Sequence, residues 1–296
     1  MIVCLGDIFV DVLVQRPVDA ATTVTLASGG SAANTAAWLA WLGAPVGLVA
    51  AVGADMAGDL LTERLRRRGV RDAVTRVAHL ATGVMIMEVL SGRPGPPTVD
   101  RGANDSLRLD APQLALLGEA RWLHCTAYAF LGEDSQGSVR DAAAIAREAG
   151  AMISLDLGAA HLAHHLGLDH YQTLIRQLGP DLLLANEEEA ALLAQPGETP
   201  LAALARFAPM AILKRGQDGC EVIRGETEWR YPATPATVVD PLGAGDAFAA
   251  GVLHGLCRQE TVAEAVARGQ ALGARCVGLL GGQPPPKEDQ GIGGGS

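Results

Sequence analysis

The stretch VVDPLGAGDAFAAG, residues 238–251, decides the fold more than any other part of the chain. Its small-residue turn, Gly243-Ala244-Gly245, leads directly into an alanine-rich helix. Glycines let a ligand approach the backbone closely. The first amides of a helix have no intrahelical partner, and the helix dipole adds roughly half a positive charge there. The turn therefore predicts an anion site built from the backbone N–H groups of Gly243, Ala244 and Gly245.

Asp246 follows in the first turn of that predicted helix. A carboxylate beside a bound phosphate is unfavourable unless it has a task, such as accepting a proton from a nucleophile. The alternative is an ordinary aspartate that stabilises the helix dipole. Turn and helix together favour Asp246 as a general base.

Outward from this stretch, strand-like and helix-like segments alternate along the chain. Short apolar runs such as Ile2–Leu5 and Val46–Val52 are typical of buried strands, and Ser31–Leu42 and Met56–Arg68 are typical of helices. Such alternation predicts right-handed crossovers and a mostly parallel sheet covered on both faces. Ala36–Ala54 has no charge, but Gly43, Pro45 and Gly47 divide it into a helix and a strand instead of a membrane span.

Two segments depart from the alternation. Residues 8–15 continue past Gly6 as a second extended run, and residues 82–103 read as a hairpin with a proline-rich tip. We expect them to form a small β-sheet lid over a single domain of residues 1–284. Residues 285–296, rich in proline and glycine, are expected to be a flexible tail.

Composition excludes several classes of function. The 296 residues include 33 Asp plus Glu against 23 Lys plus Arg, a net charge of −10, which argues against nucleic acid or an anionic membrane as partner. The basic run Arg64 to Arg68 reads as the solvated end of a helix. Lys214 and Lys287 are the two lysines, and neither lies in a Walker-type phosphate loop.

The five cysteines are widely spaced and suggest neither a zinc knuckle nor a disulfide framework. Met1 leads directly into a strand without a signal-like segment. We therefore expect a cytoplasmic protein with free thiols.

The pattern Asp240-x-x-Gly243-Ala244-Gly245-Asp246 resembles the C-terminal motif of the ribokinase-like (PfkB) carbohydrate kinases. Gly29-Gly30 with Asn34, and the later Val52-Gly53-x-Asp55-x-x-Gly58, are similar to the family's other motif. The resemblance implies a three-layer α/β sandwich with a mostly parallel central sheet and a small β-sheet lid. It also implies Asp246 as the catalytic base and the Gly243–Gly245 amides as the anion hole.

The resemblance implies substrate contacts from Asp11, Gly29, Gly30 and Asn34. Asn34 offers both a donor and an acceptor to a vicinal diol, although an asparagine in the first turn of a helix can equally be structural. Arg101 could pair with an acidic sugar or be a surface arginine.

On the nucleotide side, the resemblance implies that Glu189 of Asn186-Glu187-Glu188-Glu189 helps hold Mg²⁺ through water. The residues themselves fit an ordinary helix start equally well, with Asn186 as the N-cap. Lys214, Gly216 and Gly219 resemble the loop that packs near ATP. Asp156 stands where relatives often carry a longer motif whose Asn and Arg are missing here, so the resemblance assigns it no role.

The implied reaction is transfer of the ATP γ-phosphoryl group to a hydroxymethyl group of a small sugar, of ribokinase, fructokinase or ketodeoxygluconate kinase type. The alternatives are a nucleoside kinase and a non-catalytic sugar-binding regulator. A monovalent cation such as K⁺ near Asp240 and a homodimer through the lid are further expectations. One sequence does not rank the sugars or nucleosides.

Overall fold

The structure is a computed structural model that describes residues 1–15, 22–90, 93–94 and 97–286. The strands of this described part form two sheets. In chain order they are β1 (Ile2–Leu5), β2 (Phe9–Gln15), β3 (Thr23–Gly29), β4 (Val46–Gly53), β5 (Arg71–Val77), β6 (Val84–Leu90), β7 (Arg93–Pro94), β8 (Thr98–Asp100), β9 (Trp122–Thr126), β10 (Met152–Asp156), β11 (Leu182–Asn186), β12 (Met210–Lys214), β13 (Cys220–Arg224) and β14 (Thr227–Tyr231).

The helices alternate with the strands of the larger sheet. They are α1 (Ser31–Trp41), α2 (Met56–Arg67), α3 (Ala111–Gly118), α4 (Glu133–Glu148), α5 (Ala160–Leu166), α6 (Leu168–Leu178), α7 (Glu187–Leu193), α8 (Pro200–Ala205), α9 (Ala244–Cys257) and α10 (Val262–Cys276). No helix in the described ranges is both long and apolar enough to cross a membrane.

The central sheet has nine strands in the order β14-β13-β12-β11-β10-β9-β1-β4-β5 among the described residues. The pairs from β12 through β5 are parallel, and β13 and β14 add an antiparallel hairpin at one end. The inner strands β1, β4 and β9 to β12 are almost entirely buried on both faces, which explains their continuous apolar runs.

Alternate side chains of each strand enter different cores. Val3 and Leu5 of β1 pack with helices α3 to α8, whereas Ile2 and Cys4 pack with α1, α2, α9 and α10. The result is a three-layer sandwich, and the predicted fold class is confirmed.

The smaller sheet holds β3, β2, β6, β7 and β8. β2 pairs with β3 antiparallel and with β6 parallel, and β8 pairs antiparallel with β6. Strand β3 was not predicted. Part of the predicted proline-rich tip, and residues 287–296 of the predicted tail, lie outside the described residues.

The carboxyl ends of the parallel strands share one edge of the central sheet, where ligands of open α/β sheets usually bind. Asp7 follows β1, Asp156 ends β10, Asn186 ends β11 and Lys214 ends β12. The small sheet crosses this edge because β2 begins only four residues after β1 ends.

Candidate active site

A cavity of about 740 Å³ lies between the carboxyl edge of the central sheet and the small sheet. We call it the main cavity. Its lining residues come from β2, β6 and β8 of the small sheet, from the ends of the parallel strands, and from the turn before α9. They include Asp7, Phe9, Asp11, Gly30, Ser31, Asn34, Met85, Val99, Arg101, Tyr128, Asp156, Asn186, Glu189, Lys214, Gly216, Leu242, Gly243, Gly245 and Asp246.

Asp246 lies in the first turn of α9 and is held by two side chains of α1. Ser31 Oγ donates to Asp246 Oδ1 at 2.6 Å, and Asn34 Nδ2 donates to Asp246 Oδ2 at 2.9 Å. Burial raises the pKa of Asp246 to about 6, although the hydrogen bonds from Ser31 and Asn34 act in the opposite direction. A carboxylate with fixed orientation and a pKa close to neutral suits proton transfer.

The turn before α9 has the geometry of an anion site. Gly243 is the N-cap and takes a left-handed φ of +76°, and a Cβ there would overlap the Cα of Gly282. Within the described part of the chain, the amides of Gly243 and Gly245 donate to no protein acceptor. The Ala244 amide differs from the prediction because it donates to Pro241 O at 3.3 Å. Two of the three expected amides are therefore free for a ligand.

Buried acceptors without a donor also line the main cavity. Both carboxylate oxygens of Asp11 and Oδ1 of Asn34 are buried and have no hydrogen-bond partner. Burial, together with the charges of Asp246 and Asp240, raises the pKa of Asp11 to about 7. Buried acceptors of this kind need donors, and the hydroxyl groups of a polyol supply them. Gly30 takes a φ of +97°, and a Cβ at this position would overlap the carbonyl group of Asp7. The close approach of these two backbone segments therefore requires glycine.

Arg101 lines the main cavity but is already satisfied by protein groups. Its Nη1 and Nη2 bind Asp7 Oδ2 and Oδ1 at 3.0 and 3.1 Å, its Nε binds Asp105, and Nη2 also donates to Tyr128 O at 3.1 Å. Burial raises the pKa of Asp7, and the charge of Arg101 opposes that effect. Arg101 thus neutralises a buried aspartate.

Lys214 forms an ion pair that sequence reasoning missed. Its Nζ lies 2.6 Å from Asp156 Oδ2, and both side chains are largely buried. Burial would lower the pKa of Lys214, but the carboxylates of Asp156 and Glu189 outweigh burial and raise it. Lys214 Nζ also lies 3.3 Å from the position a Cβ would take on Gly245. A lysine ammonium therefore stands beside the anion turn.

Asn186 and Glu189 form a reciprocal capping box at the start of α7. Asn186 Oδ1 accepts from the Glu189 amide at 2.8 Å, and Glu189 accepts from the amide and side chain of Asn186 at 2.8 and 2.7 Å. Glu189 is only 4% exposed, and burial raises its pKa to about 7, against the effect of Lys214. The helix-start reading is thus correct, and the carboxylate also faces the main cavity.

A second cavity of about 640 Å³ meets the main cavity at Lys214, Gly216 and Gly245. It is largely apolar, and Phe248 and Val277 line it. Gly219 and Ala244 lie on its wall. A ligand with an apolar ring and a phosphate chain could occupy the second cavity and reach the anion turn.

Asp240 lies behind the anion turn and is fully buried. Its Oδ1 accepts from the Leu242 amide at 3.0 Å and its Oδ2 from the Gly281 amide at 2.9 Å. Among the described residues no cation pairs with Asp240, and the two amides are its hydrogen-bond donors. Asp240 and Gly29 line neither cavity.

The fold brings most predicted site residues to one place. Those on the main cavity are Asp11, Gly30, Asn34, Arg101, Asn186, Glu189, Lys214, Gly216, Gly243, Gly245 and Asp246. The structure adds Ser31, Asp7 and Asp156. Ser31 lies between Gly30 and Asn34 of the N-terminal motif but had no predicted role, and Asp7 directly follows Gly6 after the end of β1. A polar residue at the carboxyl end of a parallel strand was the available signal for Asp7 and Asp156.

Known proteins share the sequence pattern and the fold of this chain. Residues 1–289 match the family described as pfkB family carbohydrate kinase. The chain is 30% identical to a fructokinase of Klebsiella pneumoniae, over 85% of this chain and 83% of the relative. It is also 30% identical to an ATP-dependent ribose-1-phosphate kinase of Halopiger xanaduensis, over 88% of this chain and 84% of the relative. An adenosine kinase structure from Sinorhizobium meliloti superimposes with a TM-score of 0.87 at 23% identity, over 96% and 95% of the two chains.

Proposed function

This chain belongs to the pfkB family of carbohydrate kinases, and we propose that it transfers the γ-phosphoryl group of ATP to a hydroxymethyl group of a small sugar. One observation carries the proposal. Asp246 is oriented by Ser31 and Asn34 at the point where the anion turn meets the buried acceptors Asp11 and Asn34. A base, an anion site and hydroxyl acceptors are the parts that phosphoryl transfer to an alcohol requires.

In the proposed mechanism, Asp11 and Asn34 accept hydrogen bonds from sugar hydroxyls and so orient the sugar. Asp246 accepts the proton of the attacking hydroxyl as its oxygen bonds to phosphorus and the bond to the ADP leaving group breaks. The amides of Gly243 and Gly245, with the ammonium of Lys214, stabilise the negative charge on the phosphoryl oxygens. The small sheet, which supplies Asp11, Met85 and Val99 to the cavity wall, would limit competition from water.

Mg²⁺ fits the carboxylate side of the main cavity. No cluster of three or more His, Cys, Asp or Glu suited to a metal occurs in the described ranges. That agrees with an ion that arrives on the nucleotide and keeps most of its waters. Glu189 would hold such waters, because its two oxygens are fixed by Asn186 and its carboxylate lines the cavity. The ion would supply charge neutralisation at the β- and γ-phosphates.

The second cavity would hold the nucleoside part of ATP, between Gly216, Gly219 and the start of α9. The kinases named in the comparisons include one described as ATP-dependent, which supports ATP as the donor. We place the reaction in the cytoplasm, where ATP is present and where free thiols such as Cys4 and Cys125 persist.

A small sugar is favoured as acceptor over the other candidates. The two sequence relatives at 30% identity are named for a sugar and for a sugar phosphate, whereas the adenosine kinase comparison shows the fold alone. The four hydrogen bonds of Arg101 to Asp7, Asp105 and Tyr128 leave it poorly placed to bind an acidic sugar. A nucleoside remains the second candidate acceptor, and the oriented Asp246 argues against a non-catalytic regulator.

Three further properties belong to the proposal. Residues 1–284 form one kinase domain with residues 8–15 and 82–103 in its lid. Two chains associate through the lid.

A monovalent cation such as K⁺ compensates the buried charge of Asp240, which has no cationic partner in the described ranges. Replacing K⁺ by tetramethylammonium should therefore lower turnover. An unchanged rate would show that the reaction needs no monovalent cation.

The test is a coupled assay of ADP release with Mg-ATP against ketoses, aldoses, sugar acids and nucleosides. With the best acceptor, Asp246→Asn should lose several orders of magnitude in kcat while its thermal unfolding stays close to wild type. Asp169→Asn is the matched control, because Asp169 also lies in the first turn of a helix but is exposed. Near-normal activity of Asp246→Asn would exclude it as the base, and no turnover with any acceptor would favour a regulator.

A further inference from the structure

A third cavity, of about 550 Å³, lies away from the main and second cavities. We call it the arginine pocket. Its walls are the end of β3, the end of α1, the last turn of α2 and the C-terminal segment that follows α10. They comprise Ala27, Ser28, Ala37, Trp41, Arg64, Arg67, Arg68, Leu280, Gly281, Gly282, Gln283, Pro284, Pro285 and Pro286.

Two arginines in this pocket have no acidic partner among the described residues. Arg64 Nη1 donates to Ser28 Oγ at 3.3 Å, and Arg68 Nη1 donates to Pro284 O at 2.6 Å. Both acceptors are neutral. Burial lowers the pKa of Arg68, and the neighbouring charge of Arg64 lowers it further. The two cations therefore repel each other in a half-buried place without compensation.

The described wall of the arginine pocket has arginines but lacks acidic residues. The chain carries ten more acids than bases, yet no carboxylate stands among the described lining residues. Elsewhere the arginines of the described part are mostly paired, as Arg71 with Glu119 and Arg147 with Asp181 show. A third arginine, Arg67, lines the same pocket and pairs with Glu63.

A favourable interaction with the helix dipole explains only part of the basic run. Arg66 and Arg67 are exposed and paired, as expected for cations at the end of α2. Arg64 and Arg68, one turn apart, line the pocket and have no acidic partner among the described residues. An exposed helix end would not require two guanidinium groups to share one cavity.

We propose that the arginine pocket binds the phosphate monoester group of a small organic molecule. Arg64 and Arg68 would share the phosphate dianion, since the planar guanidinium matches two phosphate oxygens at once. Trp41, Leu280 and the prolines would contact the organic part. The volume of about 550 Å³ exceeds what an inorganic ion needs and suits a molecule of the size of a sugar phosphate.

The pocket is connected to the main cavity through the C-terminal segment. Arg68 binds the carbonyl of Pro284, the amide of Gly281 binds Asp240, and the Cα of Gly282 packs against Gly243. A ligand that draws Arg68 away from Pro284 would therefore change the support of the anion turn. We expect the pocket to act as an effector site that alters the KM for ATP.

Trp41 provides a local probe of binding. Titration of the full chain with glucose 6-phosphate should change its tryptophan fluorescence in a saturable way, and Trp41→Phe should lose most of that signal. Arg64→Ala/Arg68→Ala should raise the dissociation constant at least tenfold. Arg66→Ala is the matched control, because Arg66 lies in the same turn, binds Asp72 and lines no part of the pocket. Glucose should not bind, and citrate should bind more weakly than glucose 6-phosphate.

Several results would overturn the proposal. The first is a fluorescence titration with glucose 6-phosphate that shows no saturation, and the second is equal affinity in the wild type and the double variant. The third is tighter binding of citrate than of glucose 6-phosphate, which would point to a polycarboxylate as the ligand. If the Glu288→Gln/Asp289→Asn variant binds glucose 6-phosphate and the wild type does not, the partners of Arg64 and Arg68 are acidic residues of the chain itself.

The effector role has its own test. Glucose 6-phosphate should shift the KM for ATP severalfold in the wild type and not in the Arg64→Ala/Arg68→Ala variant. An equal shift in both would place the effect in the main cavity.

Discussion

At the residue scale, the pKa of Asp246 sets the pH range of the proposed reaction. Burial raises that pKa to about 6, so the base is ionised above this value and protonated below it. Because only the ionised form accepts a proton, kcat/KM for the sugar should be constant near pH 8 and fall about tenfold per unit well below pH 6. A pH profile of kcat/KM reports the pKa of the free enzyme, and a value that stays flat down to pH 4.5 would contradict the assignment.

The hydrogen bond from Ser31 gives a second test of the same carboxylate. Ser31 Oγ lies 2.6 Å from Asp246 Oδ1 and lowers the pKa of Asp246. Ser31→Ala should therefore raise that pKa and move the acid limb of the profile to higher pH. Ser138→Ala is the control, since Ser138 bonds to the Leu107 carbonyl in another layer. If the acid limb keeps its position in Ser31→Ala, a group other than Asp246 governs it.

Sequence reasoning recognised residues that carry a motif and missed those that act through the fold. Asp246, Asn34 and Glu189 stand in recognisable patterns. The pairing of Asp156 with Lys214 joins β10 to β12 across β11, 58 positions apart in the chain. Only the shared carboxyl edge of the sheet brings two such residues together, and no spacing rule encodes it.

At the scale of elements, Gly251 allows α9 and α10 to pack closely. A Cβ on Gly251 would lie 2.6 Å from the backbone of Gly269. Gly251→Ala should lower the free energy of unfolding by about 1–3 kcal/mol, because overpacking outweighs the better helix propensity of alanine. Gly137→Ala in α4 is the matched control, since its nearest atom is 4.0 Å away, at the tip of Arg140.

The Gly137→Ala control should have the opposite sign and stabilise the protein by up to about 1 kcal/mol. Urea unfolding of the two variants measures both values. Equal effects of the two substitutions would show that helix propensity, and not the approach of α9 to α10, decides the outcome at Gly251.

Arg101 connects the segment after β8 with the segment after β1. It is 16% exposed and pairs with Asp7, which is 3% exposed. Arg101→Ala should cost roughly 3 kcal/mol of unfolding free energy, because it leaves a buried carboxylate without a partner. Arg108→Ala, which breaks an exposed pair with Asp134, should cost less than about 1 kcal/mol.

Denaturant unfolding of Arg101→Ala and Arg108→Ala measures how much unfolding free energy each ion pair contributes. Similar small losses would mean that water reaches Asp7 and that the pair adds little. A further variant, Asp7→Asn/Arg101→Ala, should recover part of the loss, since it removes the uncompensated charge together with its partner.

Elements with an apolar run were predictable, and edge elements were not. The buried strands β1 and β4, Ile2–Leu5 and Val46–Gly53, read directly from the sequence. Strand β5, Arg71–Val77, lies at the edge of the central sheet and mixes charged with apolar residues. Strand β3, Thr23–Gly29, is mostly exposed along its first half. Such strands owe their conformation to pairing with β4 and β2, which a single segment does not reveal.

At the scale of the whole molecule, the outer face of the small sheet remains apolar and exposed. Leu26 pairs with Val12, which pairs with Ile86, so the three side chains form one row across the sheet. Leu26 is 56% exposed and Ile86 44%, and Val24 on the neighbouring row is 55% exposed. A contiguous apolar face on an open sheet is typical of an interface.

We therefore expect two chains to associate through this face with two-fold symmetry. Sedimentation equilibrium of the wild type should give twice the chain mass of 30.6 kDa, and Leu26→Glu should shift the equilibrium toward the monomer. Met56→Glu is the control, because Met56 is 86% exposed at the start of α2 and lies away from the small sheet. A monomeric wild type, or a dimer unaffected by Leu26→Glu, would place the interface elsewhere or remove it. Since the same strands carry Asp11 and Met85 on their inner face, dissociation should also raise the KM for the sugar more than it lowers kcat.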